Sequence, residues 1–239
     1  MSTVAAPEFV TRPAPVSTLA APQLVINSRM IYSSWIPADP AAAAALLPAG
    51  LKPAANRAVY MNQYVVDSEE QTSGFGAYSL TYLGLDLAGI TAPDGVTPGR
   101  FFTHYLNSSE IVRTYAAERG VPASPGRTTV EIQGHRLVAT TFVDGVPVIR
   151  TQARIGHKIG AVARGHLLYV TRKNGRLLAG NYAYIGELVE DFATESIEFL
   201  APDHPVYALR PASPLQVVPG SCWFAPKDSF VYPGGEREL

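Results

Sequence analysis

Hydrophobic positions in this chain alternate with polar ones in short runs far more often than they recur at helical spacing. Residues 24–35, 58–66, 77–85 and 101–106 carry such runs, with Val, Ile, Leu, Tyr and Phe prominent. Alternation of this kind marks half-buried strands. Beyond residue 128 the runs crowd together, at 129–132, 136–143, 147–154, 166–172, 176–184, 196–200 and 215–224. Gln133-Gly134-His135, Asp144-Gly145 and Lys173-Asn174-Gly175 stand between consecutive runs as hairpin turns. Two stretches predict helix. Asp39-Pro40 opens one that continues through the alanine run to Leu47, with Asp39 as N-cap, and Pro48-Ala49-Gly50 stops it. Asn107-Ser108-Ser109-Glu110 caps a second that stops at Gly120. Residues 86–100, with Pro93-Asp94-Gly95 and Pro98-Gly99, read as a loop. The pattern predicts a mostly β, α+β domain: an antiparallel barrel or sandwich with a few short helices. It divides the chain into an extended arm over residues 1–22, rich in Ala, Pro, Ser and Thr, and a single domain over 23–239.

Composition narrows the function classes. Of the 239 residues, 47% are hydrophobic and 16% charged, which supports a large core and argues against disorder. A net charge of -1 argues against the clustered basic face of a nucleic-acid binder. No apolar run approaches the roughly 20 residues of a membrane span, and no signal peptide is visible. Cys222 is the one cysteine and has no partner for an internal disulfide. The expectation is a soluble cytoplasmic protein that engages neither membrane nor nucleic acid. The histidines, at 104, 135, 157, 166 and 204, are not at metal-ligand spacing, so no metal or other cofactor is expected. Dinucleotide, P-loop and Gly-x-Ser-x-Gly fingerprints are absent. Cys222, in an apolar run beside Trp223, reads as packing. Strand parity lets only one of Asn62 and Gln63 face inward, and it puts Tyr78, Leu80 and Tyr82 on one face. Arg150, Gln152 and Arg154 share another face, suited to a polyoxygenated ligand, a subunit interface or solvent.

Several consecutive pieces resemble the acetoacetate decarboxylase family. They are Asn27-Ser28-Arg29 before an aromatic-rich strand, the Leu-Pro-Ala-Gly-Leu exit at residues 47–51, and Ser73-Gly74-Phe75-Gly76 leading to Tyr78. Tyr105-Leu106-Asn107 and Leu137-Val138-Ala139-Thr140 complete the set. The resemblance implies that family's antiparallel β-barrel or cone, a homo-oligomer, and a pocket in which Arg29 faces a substrate carboxylate. It also places Ala123 and Ser124 where the family carries its Schiff-base lysine pair, and Asn62 and Leu80 where it carries pocket glutamates. Neither Ala123 nor Ser124 can form an imine. The expected function is therefore a cofactor-independent enzyme of secondary metabolism, a lyase, isomerase or cyclase. It would act on a small keto, enol or polyketide-like molecule by cyclisation, isomerisation or dehydration. Arg29, His104 and Asn62 are the expected catalytic residues. Gln63, Tyr78, Leu80, Tyr82, Ala123, Ser124 and Gln152 are expected to line the pocket. The alternatives are a non-catalytic small-molecule binding protein, and a lyase that relocates its imine to Lys52, Lys158, Lys173 or Lys227.

Overall fold

The computed structural model describes residues 16–239. Strand β1 (Gln23–Trp35) leads through helix α1 (Pro40–Ala44) to β2 (Val59–Val66), β3 (Tyr78–Thr91) and β4 (Pro98–Asn107), each antiparallel to the one before. Helix α2 (Glu110–Ala117) follows, and β5 (Ala123–Pro125) lies parallel beside β4. Both helix starts are capped as the sequence predicts. Asp39 accepts from the amides of Ala41 and Ala42, and Ser109 accepts from that of Val112.

The chain then builds a second sheet from the meander β6 (Arg127–Gln133), β7 (Arg136–Val143) and β8 (Val146–Arg154), completed by β11 (Ala193–Phe199). Between β8 and β11 the long hairpin of β9 (Ile159–Lys173) and β10 (Arg176–Val189) returns to the first sheet. β12 (Trp223–Tyr232) pairs with β10 on one side and β1 on the other, and β13 (Arg237–Glu238) adds to β10. The first sheet thereby closes into a ring, β1-β2-β3-β4-β9-β10-β12. Its seam is the short parallel contact of β4 with β9, Arg100 opposite Tyr169 and Phe101 opposite Val170.

The mostly β architecture with short helices is as expected, and the turns Asp144-Gly145 and Asn174-Gly175 have positive φ at both residues, as a two-residue hairpin requires. Four details differ. Helix α1 ends at Ala44 instead of continuing to Leu47. Residues 86–91 and 98–100 belong to β3 and β4, leaving 92–97 as the loop. The last long strand is Trp223–Tyr232 rather than 215–224. Its sequence carries Pro226, Lys227 and Asp228 and so reads as a loop; Pro226 falls where the β1–β12 register shifts, outside both ladders. Finally, β4 makes parallel pairs, so the sheet is not wholly antiparallel. Of the expected arm, residues 1–15 lie outside the described residues. Residues 16–22 pack on the ring: Leu19 touches its core and the Ser17 amide donates to Glu118 Oε1 at 2.6 Å.

The wall β1–β3 is buried on both faces, which is why β2 reads as an almost unbroken buried run. Tyr60, Asn62 and Tyr64 point into the ring, while Val59, Met61 and Gln63 point at the second sheet. Between the sheets lies an aliphatic core that includes Trp35, Met61, Leu83, Ile149 and Ile197. A polar network is embedded beside it. Gln63 donates to Thr141 Oγ1 at 3.0 Å and accepts from Thr151 Oγ1 at 2.7 Å, and Thr81 bridges Thr128 and Thr141 at 2.7 and 2.6 Å. Truncating Gln63 strands the buried Thr151 hydroxyl and leaves Thr141 with Thr81 alone. Gln63→Ala is therefore expected to cost about 1–3 kcal/mol in chemical denaturation, with ligand affinity unchanged.

Candidate functional site

Inside the ring the chain concentrates its phenols. Ten of its 12 tyrosines are buried in one cluster and Tyr184 packs against it. At one end the interior is filled solid. Tyr64 and Tyr78 share a hydrogen bond of 2.9 Å, Tyr169 donates to Glu236, and the Arg119 guanidinium lies 3.5 Å from the centre of the Tyr115 ring, with its Nε 3.3 Å from Glu236. At the other end a cavity of about 360 Å³ remains. Its wall is Tyr32, Tyr60, Tyr64, Tyr82, Tyr182, Tyr184, Trp223 and Phe230, with Arg100 among them. Its mouth lies beside the seam, at Thr97, Pro98, His166 and Ser221.

Arg100 is held from two sides. Its Nε donates to Asp86 Oδ1, the cross-strand neighbour on β3, at 2.9 Å, and its guanidinium lies 3.9 Å from the centre of the Tyr60 ring. Nη1 and Nη2 make no hydrogen bond to another described residue, so both remain as donors for a ligand. Burial pushes the Asp86 carboxyl up, against the pull of Arg100. Tyr32 stacks on Trp223 with centroids 3.5 Å apart, and Tyr184 stands beside the pair, 6.4 Å from each. Behind Tyr32 sits Asp228, with no solvent exposure, its Oδ2 3.5 Å from the Tyr32 hydroxyl and its Oδ1 without a partner. Burial pushes Asp228 up to about 8. Gly186 on β10 makes room for it, since a Cβ there would lie 2.4 Å from Oδ2. The wall phenols Tyr32, Tyr60 and Tyr82 are raised by burial, so all three stay protonated donors.

The residues singled out from the sequence divide between three places. Asn62, Tyr78, Leu80 and Tyr82 face the ring interior. Only Tyr82 lines the cavity; Asn62 lies buried near the Tyr60 hydroxyl with both amide atoms unpartnered. Ala123 packs against the tyrosine cluster from β5, opposite Tyr105. Ser124 takes the opposite register, beside Leu106 of the intersheet core. The others lie outside the ring. Arg29 makes a two-bond pair with Asp67, at 2.8 and 2.6 Å, and donates to the Val130 carbonyl. Gln63 is satisfied between the sheets. Gln152 accepts from Arg136 and donates to Ser196 on the second sheet.

His104 points away from the cavity into a shallow groove with Leu46, Thr103 and Arg172. Burial, with His204 nearby, pushes it down to about 4. None of the four lysines lines the cavity: Lys52, Lys158 and Lys227 are exposed, and Lys173 donates to the Glu118 carbonyl. The sequence reading missed Arg100, Tyr32, Trp223 and Asp228. The signal for Arg100 and Asp228 was present only as charges inside stretches whose Pro and Gly read as loop. Among the described residues no group of three His, Cys, Asp or Glu side chains comes together as a metal site, and no helix is long and apolar enough to cross a membrane.

A closed ring of sheet around an aromatic cavity with one inward arginine defines the class of structure. Known structures supply its name. No protein-family model and no curated protein matches the chain. Among solved structures it is similar to an acetoacetate decarboxylase, at 14% identity and a TM-score of 0.67 over 94% of this chain and 95% of the other. It is similar to an acetoacetate decarboxylase-like enzyme from Sphingomonas wittichii RW1 at 18% identity and TM-score 0.63, over 95% and 99%. It is also similar to the enduracididine biosynthesis enzyme MppR, complexed with the condensation product of pyruvate and imidazole 4-carboxaldehyde. That match has 13% identity and TM-score 0.60, over 92% and 90%. The chain thus has the acetoacetate decarboxylase-like fold, in divergent form.

Two buried groups give opposite pH dependences. Asp228 ordinarily titrates at 3.8 and here at about 8, so between those values the folded chain keeps a proton that the unfolded chain releases, and stability falls as pH rises. His104 ordinarily titrates at 6.5 and here at about 4, so its contribution is lost as pH falls through that window. From pH 6.5 to 8 only the Asp228 effect of this pair remains. Stability should fall there, by up to about 1.4 kcal/mol per pH unit, and Asp228→Asn should flatten the slope. An unchanged slope in thermal unfolding of that variant would place the ionisation elsewhere. Arg29→Ala, outside the cavity, should cost about 1 kcal/mol and leave ligand affinity unchanged in calorimetry.

Proposed function

We propose that this protein is a cofactor-independent acid–base enzyme. Its substrate is a small keto, enol or polyketide-like metabolite, which it isomerises, dehydrates or cyclises without an imine. The observation that carries this reading is the cavity wall, which presents an arginine and a row of protonated phenols backed by a buried carboxyl, and no lysine. The pyruvate condensation product held by MppR, which has the same fold, supports a small carbonyl compound as the ligand.

In this reading the two free Nη groups of Arg100 hold the carbonyl oxygen and gain strength as it becomes an enolate oxygen. Asp86 and the Tyr60 ring fix the guanidinium, so little reorganisation accompanies the charge. Asn62 lies beside the Tyr60 hydroxyl, with its amide atoms free of other partners. Tyr32 faces the ligand and transfers the proton. As the substrate C–H proton passes to the Tyr32 oxygen, the Tyr32 hydroxyl proton passes to the Asp228 carboxylate, and the pair of bonds re-forms in reverse when the enolate is reprotonated. Asp228 is thus a positioning and proton-storing residue, and a value near 8 lets it serve in both directions close to neutrality.

Exchange of methyl protons of 2,4-dihydroxyacetophenone into deuterated water, followed by NMR, tests this. The catalysed rate should rise with pH as Asp228 ionises and level off above about 8. Asp228→Asn should remove that inflection while ligand still binds. Arg100→Lys, which keeps a partner for Asp86, should lower the rate about 100-fold. Borohydride with pyruvate or acetoacetate should leave the protein mass unchanged; a trapped adduct would return a lysine to the site and overturn the proposal. Binding of the ketone with no exchange would make the protein a carrier instead.

A further inference from the structure

The cavity carries evidence about the charge and shape of its ligand, independent of the reaction. Eight of its 17 lining residues are Phe, Tyr or Trp, and six of those are tyrosines. A ligand therefore meets ring faces and edges with hydroxyl donors between them, rather than an aliphatic wall. The volume of about 360 Å³ is at the small end for ligand sites, enough for one ring or two fused rings. The flattest element is the Tyr32–Trp223 stack, 22° from parallel, with Trp223 half-buried at the wall.

The charges around the cavity point the same way. Arg100 is already paired with the buried Asp86, so the two together bring no net charge. Two carboxyl groups already lie buried here, Asp86 paired with Arg100 and Asp228 behind Tyr32. A keto acid would put a further localised carboxylate beside them and meet the same desolvation cost with added repulsion from Asp86. A conjugated enolate or phenolate spreads its charge over a ring and carbonyl, and so enters with a smaller cost. Both Nη groups of Arg100 remain to receive its oxygen.

We infer that the cavity selects a planar conjugated oxyanion, the enolate or phenolate form of a one- or two-ring aromatic or vinylogous ketone. Its oxygen sits on the Nη groups of Arg100 and its ring lies against the Tyr32–Trp223 stack; keto acids are rejected. This inference rests on reading the same cavity as the acid–base site.

Calorimetric titration with 2,4-dihydroxyacetophenone and 1-hydroxy-2-acetonaphthone, set against acetoacetate and pyruvate, tests it. The two aromatic ketones should bind at least tenfold more tightly than either keto acid. Trp223→Leu should weaken the aromatic ketones about tenfold and leave the keto acids unchanged, and Arg100→Lys should weaken the aromatic ketones further. Keto acids that bind as tightly as the aromatic ketones, or aromatic affinity untouched by Trp223→Leu, would overturn the inference. Proton exchange measured on the same samples separates the two claims. Tight aromatic binding without exchange sinks the acid–base reading and leaves the ligand class standing. Exchange confined to acetoacetate does the reverse.

Discussion

Closing a seven-stranded sheet on itself creates an interior that must be filled, and most of this structure follows from how it is filled. A ring of about eight strands is just wide enough for side chains alone or for one small ligand. Here large flat side chains do the work. Tyrosine reaches the axis of the ring where leucine would leave a void, but each phenol needs a partner when buried. At one end most partners exist, Tyr64 with Tyr78, Tyr169 with Glu236, and Tyr115 with the Pro233 carbonyl, although the Tyr232 hydroxyl among them has none. Gly180 belongs to this arrangement, because a Cβ there would overlap the Tyr169 hydroxyl. At the other end, beside the short β4–β9 seam, the filling stops. Tyr32, Tyr60, Tyr82 and Tyr182 then border open space. The cavity is the part of the ring that its own side chains leave unfilled.

The second consequence is a division of labour across a single wall. β1 to β3 are covered on the outside by the four-stranded sheet and on the inside by the tyrosine cluster, so a one-residue step along a strand moves a side chain from structure to site. Gln63 and Asn62 illustrate this. Gln63 is locked between threonines of the two sheets, while its neighbour faces the ring with both amide atoms unpartnered. Arg29 shows the same on β1: it lies on the outer face and ties β1 to Asp67 and to the Val130 carbonyl, whereas Met30 and Tyr32 face inward.

Much of the fold was legible because it is local. Alternation marked most of the strands, Asp39 and Ser109 marked helix starts, and Asp144-Gly145 and Asn174-Gly175 marked turns. The parity that groups Tyr78, Leu80 and Tyr82 is likewise a property of one strand. The site was less legible because it is assembled across strands far apart in sequence. Arg100 follows Pro98-Gly99, a pair that signals a loop, and only its pairing with Asp86 across β3 and β4 makes it a buried, oriented cation. Asp228 lies in Pro-Lys-Asp-Ser, which reads as solvated; β12 is a strand because β1 and β10 flank it on both sides, and Gly186 from β10 makes space for the carboxyl. Tertiary pairing overrode local propensity at both positions.

Under the proposed reading, that assembly lets the site work without the lysine pair that the sequence resemblance would put where Ala123 and Ser124 stand. An imine site needs a neutral amine as nucleophile, which a neighbouring cation provides by lowering its pKa. This cavity is close to neutral at rest: Arg100 is balanced by Asp86, the phenols are protonated, and Asp228 near neutral pH retains much of its proton. In the proposed reaction the negative charge of ionised Asp228 passes, as the protons move, to the oxygen that faces the free Nη groups. The favourable interaction is then larger in the transition state than in the bound ground state, which is the condition for rate acceleration rather than mere affinity. In the proposed reaction, a fixed guanidinium in place of a covalent electron sink limits the chemistry to steps an enolate can support, and the aromatic wall would favour ketones whose enolates are already stabilised by conjugation.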